Sequence, residues 1–61
     1  MRVQQVRIFI PNETHRVFEV GSLGVREIWL SESSSVVKIT YEAGASTYYE
    51  GMPFIAEKTN E

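Results

Sequence analysis

Val36-Val37-Lys38-Ile39-Thr40-Tyr41-Glu42 alternates apolar with polar residues, and Ala43-Gly44 then leads back into Ser46-Thr47-Tyr48-Tyr49-Glu50. A period of two marks a half-buried strand, because successive side chains on a strand point to opposite faces. Val37, Ile39 and Tyr41 share one face; Lys38, Thr40 and Glu42 share the other. Gly44 can take the positive φ of a tight hairpin, so Ser46 to Glu50 is expected to return beside the first strand. The consecutive tyrosines must then point to opposite faces.

The same pattern extends outward. Val25 to Leu30 reads as a strand with Arg26, Ile28 and Leu30 opposite Val25, Glu27 and Trp29, followed by the polar loop Ser31 to Ser35. His15 to Val20 precedes it, joined by Gly21-Ser22-Leu23-Gly24, a loop of hairpin length. Val3 to Ile10 opens the chain, with Val6, Ile8 and Ile10 opposite Gln5, Arg7 and Phe9. It ends at Pro11-Asn12-Glu13-Thr14, where proline cannot donate to a ladder and asparagine favours a turn. Gly51-Met52-Pro53 breaks the fifth strand, Phe54 to Glu57 suits a short edge strand, and Lys58 to Glu61 reads as a polar tail.

Composition agrees. Twelve of the 61 residues are Val or Ile and only two are Leu. Branching at Cβ disfavours the helix and suits a pleated surface. A helix over Leu23 to Ser31, N-capped by Ser22, competes with the third strand, but Gly24, Val25, Ile28 and Trp29 all weigh against it.

The expected fold is all-β: one domain over residues 1–61, a small, strongly bent antiparallel meander of five or six strands. Val6, Ile8, Ile10, Phe18, Val20, Ile28, Leu30, Val37, Ile39 and Tyr41 would form its core. With no helix to cover it, such a sheet must curl into a partly open barrel of SH3- or OB-like form, or be completed by a symmetry mate. There is no Cys, so disulfides cannot staple the domain. Self-association is the remaining staple, and a homo-oligomer is expected.

Chemistry is constrained as strongly. The chain has no Cys and no Asp, a single His15, and no Gly-x-Ser-x-Gly elbow, so no catalytic residues are assigned and no enzyme is expected. One histidine without cysteine makes no metal site, and no cofactor is expected. Net charge is −2, all eight acidic residues are Glu and the six basic ones are scattered, which argues against strong nucleic-acid binding. No apolar run is long enough to span a membrane, and the first residues lack a secretory h-region, so a cytoplasmic protein is expected. Asn12-Glu13-Thr14 matches a glycosylation sequon but serves better as a turn.

Aromatics carry the functional expectation. Phe9, Trp29, Tyr48 and Tyr49 cannot all enter one small core, and Met52 and Phe54 flank a backbone break. Exposed Trp, Tyr and Arg are the set enriched at protein interfaces. These six are therefore the candidate partner-binding residues of an interaction module, an adaptor or inhibitor. Short cysteine-free chains of this kind resemble those carried by bacteria and phages in size and style, through no motif. A small-ligand or nucleotide site at a subunit interface is the alternative. Its candidates are Arg7, Gly21, Ser22, Gly24 and Arg26, with Tyr49 beside them and the glycine loop as an anion nest. A single-stranded nucleic-acid binder, its bases stacked on strand aromatics, ranks third.

Overall fold

Six strands form one antiparallel sheet in the computed structural model, which describes residues 1–58: β1 (Arg2–Phe9), β2 (His15–Glu19), β3 (Val25–Ser31), β4 (Val36–Tyr41), β5 (Ser46–Glu50) and β6 (Phe54–Lys58). Residues 22–31, where a helix competed, contain a turn and then β3. Lys58, expected in the tail, belongs to the backbone of β6, where it pairs with Val3; the rest of that tail, 59–61, lies outside the described residues.

β1 organises the sheet. From Gln5 to Ile8 it pairs with β2 and β6 at once, so these lie on opposite edges. β3 takes over from β2 at Arg2 and Val3, which places two strands end to end along one edge of β1. The chain turns that corner through Gly21–Gly24, where the Val25 N–H donates to the Ser22 carbonyl at 3.0 Å. β4 and β5 extend the sheet from β3 as hairpins, giving the order β2-β1-β3-β4-β5, and the whole curls into an open half-barrel. Gly44 makes the β4–β5 turn at φ 100°, its N–H donating to the Tyr41 carbonyl.

The buried core is wholly aliphatic: Val3, Val6, Ile8, Val25, Ile28, Leu30, Val37 and Ile39. Strict alternation places six of these correctly and misses Val3 and Val25. Both exceptions have one cause. Between Val3 and Gln5 β1 advances two residues while β6 advances one, and between Val25 and Glu27 β3 does the same against β4. Each shift is a bulge, which inserts a residue and inverts the parity of what precedes it. Val25 thus joins the face of Ile28, and Arg26, expected on that face, is exposed instead. Ile10, Phe18, Val20 and Tyr41, also expected in the core, are half-buried at its margin.

Candidate functional site

Register decides which side chains meet. Arg2 pairs with Trp29, Trp29 with Lys38, and Lys38 with Tyr48, so four strands contribute one residue each to a single row. Strands lie about 4.8 Å apart, so the row is roughly 15 Å long. It runs across the outer face, opposite the row in which Ile28 pairs with Ile39. Cations alternate with aromatic rings along it. Trp29 is 49% exposed and Tyr48 57%, and the Lys38 Nζ stands 5.8 Å from the Tyr48 ring centroid, within cation–π range.

The Lys38–Tyr48 contact follows from hydrogen-bond parity. The Tyr41 N–H donates to Ala45 and the Gly51 N–H to Ser35, so odd-numbered residues of β4 and β5 form the hydrogen-bonded pairs. Lys38 and Tyr48 are a non-hydrogen-bonded pair, the kind that brings side chains closest.

Each flanking row carries one carboxylate. Glu27, Thr40 and Ser46 border the row on one side, and Ser31, Val36 and Glu50 on the other. The hydroxyls of Thr40 and Ser46 lie 3.3 Å apart, which pairs the only buried polar side chain among the described residues. Arg2 reaches Glu27 at 3.8 Å in an exposed ion pair of little energetic weight. Within these three rows the two cations, Arg2 and Lys38, are equalled in number by two carboxylates, Glu27 and Glu50.

The six partner-binding candidates separate into three groups. Trp29 and Tyr48 share the row. Phe9 lies on the outer face of β1, 38% exposed, its ring edge-on to His15 with centroids 6.1 Å apart. Tyr49, Met52 and Phe54 are half-buried against the core, with Tyr49 packed on Phe18 at 5.7 Å between centroids across the mouth of the half-barrel. The tyrosine pair therefore resolves with Tyr48 outward and Tyr49 inward.

The ligand candidates do not converge. Arg26 lines a cleft of about 470 Å³ with Arg2, Gln4 and Glu27, beside both bulges. Arg7 lines another of about 360 Å³ with Val17 and Ile55, and Ser22 a third of about 300 Å³ with Leu23 and Tyr41. Gly21 and Ser22 donate their N–H groups to the carbonyls of Val25 and Glu19, and the Gly24 carbonyl accepts from Glu42, so two of the loop's donors are engaged within the chain.

Sequence reasoning passed over two residues. Arg2 precedes the first expected strand, Val3 to Ile10, and only the register places it against Trp29. Leu23 stands 93% exposed at φ 54°, a left-handed conformation costly for a branched side chain. Glycines on either side of Ser22-Leu23 were the available signal that a leucine would be held at a loop tip.

No family model, curated protein or solved structure matches this chain.

Proposed function

We propose that this protein is a small non-enzymatic interaction module, an adaptor or inhibitor, that docks a partner protein on the outer face of β3, β4 and β5. One observation carries the reading: Trp29 and Tyr48 stand half-exposed in a row with Arg2 and Lys38, flanked by two carboxylates. Trp, Tyr and Arg are the residues that dominate binding energy at protein interfaces. Tryptophan and tyrosine also offer rigid area at low entropic cost, since each has only two χ angles to fix. A charge-balanced surface suits a mixed protein partner better than a polyanion.

The test is quantitative affinity capture from the source cell with the wild-type chain, Trp29→Ala and Tyr48→Ala, each first checked for its fold by circular dichroism. A partner held by the wild type and lost by both folded variants supports the reading. Equal recovery by all three overturns it.

Alternation of aromatic rings with cations on a curved sheet also favours a second reading, a single-stranded nucleic-acid binder whose bases stack on Trp29 and Tyr48. That reading requires affinity falling steeply with salt. A labelled oligonucleotide whose fluorescence anisotropy stays flat at low salt removes it.

A further inference from the structure

We infer that the free edge of β5 pairs with the β5 edge of a second copy of this chain, making an antiparallel two-fold dimer through Ser46, Tyr48 and Glu50. The parity that sets Lys38 beside Tyr48 also fixes where backbone groups point. Thr47 and Tyr49 spend their N–H and C=O groups on β4, so those of Ser46, Tyr48 and Glu50 point away from it. Among the described residues β5 pairs with β4 alone, which leaves this row of donors and acceptors without a strand partner there.

Among the described residues three strands have a free edge, and that of β5 is the least protected. Natural edges are blunted by proline, lysine or an inward-pointing charge. On β2, Arg16 pairs with the buried Ile8 and so sits on the inner face, and β6 begins beside Pro53. Ser-Thr-Tyr-Tyr-Glu has no proline, no lysine and no inward charge, its inward residues being Thr47 and Tyr49; its one charge, Glu50, stands at the strand's end.

A second copy fits this edge because its groups are symmetric about Tyr48. In a two-fold pairing centred there, Ser46 lies opposite the partner's Glu50 and Tyr48 opposite the partner's Tyr48, each pair exchanging two hydrogen bonds. No like charges face each other. The two tyrosines form an aromatic cross-strand pair, a favourable combination in sheets. The outer rows of the two copies then join into one, since Tyr48 ends the row in each. This pairing uses backbone groups and does not depend on the partner proposed for the aromatic face.

Ser46→Pro is the discriminating variant. It removes an N–H that points away from β4, at the first residue of an edge strand, where proline is tolerated. Ser46→Ala controls for loss of the hydroxyl near Thr40. Sedimentation equilibrium from roughly 1 to roughly 500 µM covers the affinities of small interfaces. The wild type and Ser46→Ala are expected to dimerise, and Ser46→Pro to do so roughly tenfold more weakly or not at all. Amide exchange of the wild type gives a second measurement that needs no variant. The amides of Ser46, Tyr48 and Glu50 should gain protection as concentration rises, while those of Thr47 and Tyr49 are protected throughout. A wild type that stays monomeric over the whole range, or edge amides that exchange equally fast at every concentration, overturns the dimer. So does a folded Ser46→Pro that dimerises like the wild type.

Discussion

Ile28 and Trp29 are neighbours in the chain and belong to different environments. Ile28 is fully buried against Ile39, whereas Trp29 stands half in solvent between Arg2 and Lys38. The contrast holds for the whole sheet. Its inner face buries only aliphatic side chains; its large rings lie at the mouth of the half-barrel or on the outer face. A small, strongly curved sheet leaves little room inside, and Cβ-branched residues fill a pleated concave surface with stiff, well-defined rotamers. Rings placed outside contribute little to the fold, so the two faces should respond to mutation in opposite ways.

Deleting residues tests this contrast most severely. Removing Lys38 from the middle of β4 turns part of the strand over and expels core residues such as Ile39 or Val37. A single core in so small a domain supplies roughly 3–5 kcal/mol, so the deletion should leave the chain unfolded by circular dichroism. Ile28→Ala removes a fully buried side chain and should cost about 3–4 kcal/mol, most of that stability, so that its urea midpoint falls close to zero denaturant. Deleting Arg26 is the sharpening control. It removes the bulge yet leaves Val25 and Ile28 on one face, because the two then stand two residues apart. That chain should remain folded and lose about 1–2 kcal/mol. If it unfolds as fully as the Lys38 deletion, the bulge is needed for more than parity. On the outer face, Trp29→Ala should cost about 1 kcal/mol or less and Lys38→Ala within about 0.5 kcal/mol, read in the same titrations. A larger loss at Trp29 would mean that the outer face helps to hold the fold.

Much of this was legible in residue order. Alternation from Val36 to Glu42 located β4 with an error of one residue, and Ala43-Gly44 located its turn. The exposed tryptophan was also readable, since Trp29 is out of phase with Ile28 and Leu30. Val3, Val25 and Arg26 were not readable, because a bulge adds a residue without changing composition and shows only in the pairing. Arg2 was missed for a related reason: its importance comes from a strand more than twenty residues away.

Local chemistry therefore determined the all-β class, the approximate strands and the presence of aromatic residues that no small core could hold. Those properties follow from Cβ branching, the two-residue period of a strand and the sizes of side chains, each of which acts within a few residues. Tertiary structure alone decided the two bulges, the choice of Tyr48 over Tyr49 as the outward ring, and the assembly of Arg2, Trp29, Lys38 and Tyr48 into one row. All three depend on register between strands. Register is set by the simultaneous burial of Val3, Val25, Ile28 and Ile39 in one core, a condition no single segment can satisfy alone.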